Sequence, residues 1–235
     1  MRYAIFFTPS YGDPLTLAGA SWLGRSVYSG EEVEHPDSLG VYHHDIAFQT
    51  ALPRRYGFHA ELKAPFALHA DTSEPALLRE LMRFAGTVEP FVIESLEVMR
   101  FSNHFGLGLR LPCAEIETLA ATVVQHFHAY AAPLTEAEIE RRNPDHLTAP
   151  QFANLHRWGN PHVMEEYRFQ MPLTGPVQAT HMARIDRALR DYFEPLLHRP
   201  VPFTNLALFV EREPGAPFMV HSLHPMGRVS ARKIA

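Results

Sequence analysis

Along Tyr56-Gly57-Phe58-His59-Ala60-Glu61-Leu62-Lys63-Ala64-Pro65-Phe66, titratable and apolar side chains alternate. Successive side chains of a strand point to opposite faces, so Phe58, Ala60 and Leu62 form one row and His59, Glu61 and Lys63 the other. The first row reads as core. The second offers an imidazole that exchanges a proton near neutral pH, a carboxylate that can act as its electrostatic partner, and an ammonium that can orient an anion. A second segment, Tyr167-Arg168-Phe169-Gln170-Met171-Pro172-Leu173-Thr174-Gly175-Pro176-Val177, aligns with the first without gaps and repeats its Tyr, Phe, Leu and Pro. Here Phe169, Met171 and Leu173 are the expected buried row, and Gln170, Pro172 and Thr174 oppose it. If the two polar rows face each other, His59 meets Gln170 across a groove. His59 and Glu61 are the catalytic candidates. Gln170, Thr174, Lys63 and the aromatic wall Tyr56 are the candidate substrate contacts.

The surroundings of the two segments match as well. A helical stretch follows each, over 74–86 and 178–197. Two strand-like runs come next, 91–101 with 105–111 and 202–211 with 217–223. Both pairs read as hairpins, joined at Ser102-Asn103-His104 and Pro214-Gly215, neither with the tight two-residue loop. An internal duplication explains this order better than two unrelated amphipathic strands. The expected fold is α+β, one two-lobed domain over 1–235 with antiparallel sheets and flanking helices around a central cleft. The first motif and hairpin span 50–112, a helical insert 113–160, and the second motif and hairpin 165–225. In the insert, Ile116, Leu119, Val123, Phe127 and Tyr130 recur at helical spacing. Thr135-Glu136-Ala137-Glu138 reads as a capping box, and a helix opens after Thr148 with Pro150 in its first turn and stops at Gly159. The insert's Arg141, Arg142, His146, His156 and Arg157 read as a solvated cover rather than a ligand lid.

Other residues weigh less. His59 with Glu61 can give a divalent metal two ligands, too few for a site, and no metal or cofactor is expected. His43, His44 and His104 are unranked candidates for an acid from outside the motifs. Arg54-Arg55 reads as solvated surface more readily than as positive potential at a groove mouth, and Tyr3 as core at least as readily as a ligand wall. Arg168 joins the polar face only if its strand twists, and the basic tail over 228–233 is expected to fray.

The net charge of −5 argues against a broad nucleic-acid interface. No apolar run approaches the ~20 residues that span a bilayer, and the start reads as a strand rather than a signal. Cys113 is the only cysteine, which excludes an internal disulfide and fits a reducing cytoplasm.

The paired segments resemble the motifs of the two-histidine phosphoesterase superfamily, most closely a bacterial branch found with phosphonate-utilisation operons. The resemblance extends to Arg2-Tyr3-Ala4-Ile5, Trp22-Leu23-Gly24-Arg25, Pro133-Leu134-Thr135, Arg157-Trp158-Gly159 and Leu208-Phe209-Val210-Glu211. It implies a small, often cyclic phosphodiester or phosphonate-derived ligand, one histidine acting as base and another as acid, and hydroxyls holding the phosphoryl oxygens. This sequence keeps His59 but places Glu61, Gln170 and Pro172 where the family has a hydroxyl, a histidine and a hydroxyl. Glutamine cannot exchange a proton near neutrality, proline brings no donor, and a carboxylate repels phosphate. The expectation is a reduced or altered phosphoesterase. The alternatives are a ligand-binding or regulatory protein that retains the fold and, last, an interaction partner in a metabolic assembly.

Overall fold

Arg2 to Phe7 reads Arg-Tyr-Ala-Ile-Phe-Phe, and a strand that is apolar on both faces must lie inside a sheet. In the computed structural model, which describes residues 1–37 and 41–227, it does so as β1 (Arg2–Phe7). The basic tail falls outside the described residues. Strand β1 pairs antiparallel with β2 (Ala60–Phe66) on one side and with β8 (Asn205–Glu211) on the other; β8 pairs in turn with β9 (Met219–Pro225). Arg2 stands opposite Glu211 and Phe6 opposite Glu61.

A second sheet has the order β4 (Leu96–Phe101), β5 (His104–Leu109), β6 (Met171–Pro172). A two-stranded ladder, β3 (Phe91–Ile93) with β7 (Val201–Phe203), completes the strands. Every named pairing is antiparallel, and the helices pack around the sheets, so the architecture is α+β. The first motif strand shares a sheet with the hairpin of the second half. The second motif strand shares one with the hairpin of the first half. Both motif strands are edge strands, β2 and β6, and they come into contact.

The helices are α1 (Pro14–Leu23), α2 (His43–Tyr56), α3 (Glu74–Ala85), α4 (Ala114–His126), α5 (Glu136–Glu140), α6 (Ala149–Trp158) and α7 (Met182–Leu197). The capping box read at Thr135 forms, and the helix start read after Thr148 proves to be a second one. Thr135 with Glu138 and Thr148 with Gln151 make reciprocal capping boxes, and Gly159 ends α6 in the left-handed region.

Several expectations need correction. The long runs over 91–101 and 202–211 each break in two, at Glu94-Ser95 and at Thr204. The β4–β5 loop is the tight two-residue kind after all: Phe101 pairs with His104, and Ser102 takes up φ 57°. His104 is therefore not a turn residue but the first residue of β5. The helix expected from Gln178 begins at Met182. Tyr3, by contrast, takes its core reading, with its hydroxyl donating to Glu74 at 2.5 Å. Arg54 and Arg55 are internal ties rather than the solvated surface expected: Arg54 donates to the carbonyls of Leu23 and Ala47, and Arg55 pairs with buried Glu211. Burial alone would raise the Glu211 carboxyl; Arg2, Arg55 and the Gly215 N–H more than offset it and hold the group at about 2.

Candidate functional site

Helix α2 ends at Gly57, which has φ 76°, where a Cβ would also meet Val27 Cγ1 at 1.8 Å. Only glycine fits this turn. It aims the Gly57 carbonyl at His59 Nδ1, 2.9 Å away. A carbonyl only accepts, so Nδ1 carries the proton and neutral His59 presents a bare Nε2. The ring stacks on Phe6, 4.0 Å between centres, and lies under Tyr56 at 6.0 Å. Burial pushes its pKa down to about 4, partly offset by the Gly57 carbonyl.

His59 lines a cavity of about 330 Å³ with Tyr56, Glu61, His104, Gln170 and Thr174, so the structure brings both motif segments to one hollow. Gln170 Oε1 lies 2.8 Å from His104 Nε2. With the amide in this orientation, His104 donates to the carbonyl oxygen and the Gln170 NH₂ is left to donate into the cavity. Thr174 is buried. Its Oγ1 accepts from the Phe105 N–H at 2.9 Å, and the Thr174 N–H returns to the Phe105 carbonyl at 3.1 Å. The hydroxyl thus continues the β5 pairing after Pro172, which has no N–H, and only its own proton remains for a ligand.

Glu61 is fixed from the insert. Gly159 turns the chain so that Asn160 is buried facing β2. Asn160 Oδ1 accepts from the His162 N–H at 3.0 Å, which leaves its NH₂ to donate to Glu61 Oε1 at 2.7 Å. Burial raises the Glu61 pKa, against the pull of Arg142, Asn160 and Lys63. The Tyr167 hydroxyl donates to the Glu61 carbonyl at 3.2 Å, and burial pushes its own pKa up.

Lys63 departs from expectation. It shares the strand face of His59 and Glu61 but does not line their cavity; it opens on a neighbouring one. A β2 of seven residues outruns a hollow of this size at ~3.3 Å per residue. Of the three unranked histidines, only His104 reaches the cavity. His43 lies 3.1 Å from Asp37 and His44 is exposed. Arg168 is at the cavity rim, donating to the carbonyls of Glu165 and Tyr167.

Asn160, His162 and Tyr167 are contacts the sequence reading missed. Tyr167 had a signal, since it is the repeat-mate of Tyr56, and both line the cavity. Asn160 and His162 follow a helix that reads as solvated cover and carry no such mark. Among the described residues, no group of three or more His, Cys, Asp and Glu is placed to hold a metal ion. No helix of the described residues is long and apolar enough to cross a membrane.

The model of the family described as "Protein of unknown function (DUF1045)" matches residues 61–219. Two curated relatives are both named "Ribose 1,5-bisphosphate phosphokinase PhnN". The protein from Janthinobacterium sp. (strain Marseille) is 38% identical over 93% of this chain and 49% of its own length. That from Laribacter hongkongensis (strain HLHK9) is 31% identical over 93% of this chain and 50% of its own. The chain thus spans about half the length of the curated relatives it matches. Two solved structures, described as a phosphoesterase and as E. coli LigT complexed with NADP+, align over 96% of this chain and 98% and 97% of theirs. Each does so with a TM-score of 0.39 and 11% identity, a likeness that carries no argument here.

Proposed function

We propose that this chain, which belongs to the DUF1045 family, binds a small phosphorylated molecule between His59 and Gln170 and acts on it as an altered two-histidine phosphoesterase. The observation that carries this reading is the shared cavity, in which the imidazole missing from the second motif has a counterpart in His104. An internal duplication, with one motif per lobe, accounts for two edge strands meeting there.

In this reading His59 Nε2 accepts the proton of the attacking water as the new P–O bond forms. The bond to the leaving oxygen breaks, and His104, its Nε2–H held by Gln170, returns a proton to that oxygen from Nδ1. The Gln170 NH₂ donates to a phosphoryl oxygen, while its carbonyl oxygen fixes the His104 ring. Asn160 occupies one Glu61 oxygen and burial raises the Glu61 pKa, which lessens the repulsion an ionised carboxylate would exert on the anion. The PhnN name and the motif resemblance support a phosphonate-related ligand, and the relatives' name suggests a phosphorylated sugar as its class. The phosphokinase chemistry in that name is not carried over: the chain contains no Gly-Lys pair, and so no G-x-x-x-x-G-K-[ST] phosphate loop.

A second reading rests on His59 itself. An imidazole held near 4 is a weak base at neutral pH, which favours binding without turnover. Assay of the chain against cyclic and linear phosphodiesters, beside a Glu61→Thr, Gln170→His, Pro172→Thr variant, separates the two. Turnover by the parent that is lost in His59→Ala and in His104→Ala supports the altered enzyme. Turnover by the triple variant alone supports the binding protein, and turnover indifferent to both histidines overturns the site.

A further inference from the structure

Beyond Glu61, the β2 polar row ends at Lys63, in a cavity of about 520 Å³ between β2, the 128–134 segment and α6. Among the described residues, Asn160 is the only one this cavity shares with the His59 hollow. Lys63 is 3% exposed. Among the described residues its ammonium makes no hydrogen bond or ion pair; it lies 5.2 Å from the centre of the Phe66 ring. Glu61, two residues back, acts on it only from beyond ion-pair distance.

The titratable side chains lining this cavity are all basic: Lys63, His69, His128, His156 and Arg157. Among the described residues no carboxylate lines it, although the chain carries a net charge of −5. Among the described residues of the lining, only His69 has an acid within ion-pair distance, Asp71 at 3.6 Å, which is outside the lining. Burial, then the Lys63 and Arg157 cations, lowers the His128 pKa, so both charges are felt at one wall of this cavity. A buried ammonium with no partner is costly, and an anion seated beside it removes that cost. The remaining wall is apolar, with Val124, Leu134, Leu155 and Val163.

We propose that this cavity is an anion-binding site, separate from the His59 hollow, for a small molecule carrying a carboxylate or phosphonate on an apolar body. The oxyanion pairs with Lys63, the body lies on the aliphatic wall, and Arg157, exposed at the rim above the Trp158 ring, supports the charge.

Calorimetric titration of the full chain with phenylphosphonate, benzoate and inorganic phosphate tests the site, with Trp158 emission as a local reporter. Saturable binding of at least one aromatic anion, tighter than inorganic phosphate, is the expected result. Lys63→Met weakens it at least ~10-fold, as loss of a charged hydrogen bond requires. Arg157→Ala, at an exposed position that leaves folding intact, weakens it about 3-fold. His59→Gln changes it less than about 2-fold, and Trp158→Phe removes the emission change while calorimetric binding persists. Absence of saturable binding overturns the proposal, as does unchanged affinity in Lys63→Met. If Lys63→Met does not fold, unchanged affinity in Arg157→Ala overturns it instead. Loss of binding in His59→Gln places the anion in the other hollow and also overturns it. Binding of inorganic phosphate alone overturns the apolar body.

Discussion

Phe58, Ala60 and Leu62 of the first motif segment are buried, as are Phe169, Met171 and Leu173 of the second, yet the two backbones differ. The first leaves α2 through a left-handed glycine and runs seven residues as β2. The second has Arg168 at the glycine position and pairs over only Met171 and Pro172. Pro172 cannot donate to a ladder, and Thr174 carries the pairing on through its side chain. The inward rows set where each segment sits, and the outward rows set what the hollow does. One segment supplies a buried imidazole with a fixed tautomer. The other supplies an amide that holds an imidazole borrowed from β5.

The sharpest way to break this comparison is to remove each imidazole. His59→Ala and His104→Ala are each expected to lower turnover of a phosphodiester by ~10²–10⁴, and His43→Ala to leave it unchanged. A steady-state assay in which His104→Ala keeps full activity would deny the second segment its borrowed group. Next come the inward rows. Phe58→Ala and Phe169→Ala should each cost about 3–5 kcal/mol in denaturant unfolding, because both rings are fully packed. A loss confined to Phe58 would show that the second segment is held by its hydrogen bonds alone.

The pH dependence of stability probes the His59 environment. Its folded pKa, about 4, lies below the ordinary 6.5. Between those values the unfolded chain therefore binds more protons than the folded one, and stability rises with pH. The contribution is complete above 6.5 and falls away by roughly 3 kcal/mol on acidification to 4. Unfolding midpoints of His59→Gln should be correspondingly flatter across that window; parallel curves would mean the ring is not buried neutral. The smallest effect belongs to Thr174→Val. It leaves the buried Phe105 N–H without its hydroxyl acceptor, at a cost of about 1–3 kcal/mol. An unchanged midpoint there would show that the second segment does not depend on this bond.

Much of this arrangement was legible because alternation is local. The Phe58 and Phe169 rows, the capping box at Thr135, the helix start after Thr148, and the meeting of His59 with Gln170 all follow from spacing plus the alignment of the two segments. Lys63 was misplaced because alternation gives a face and not a distance. His104 could not be ranked above His43 or His44, since its approach to Gln170 depends on the β5–β6 pairing between residues far apart in the chain. Asn160 and His162 were invisible for the same reason: Glu61, the partner of Asn160, lies on the far side of the whole first hairpin, and His162 reaches the site through Asn160.

The exchange of hairpins between the halves bears on how the chain is made. Strand β1 emerges from the ribosome well before one of its neighbours, β8, which ends at Glu211. At about 5–20 residues per second, an apolar ribbon containing Ala4, Ile5, Phe6 and Phe7 waits ten seconds or more with one edge open. Until β8 arrives, nothing closes the sheet behind His59, and that unpaired edge invites association with other nascent chains.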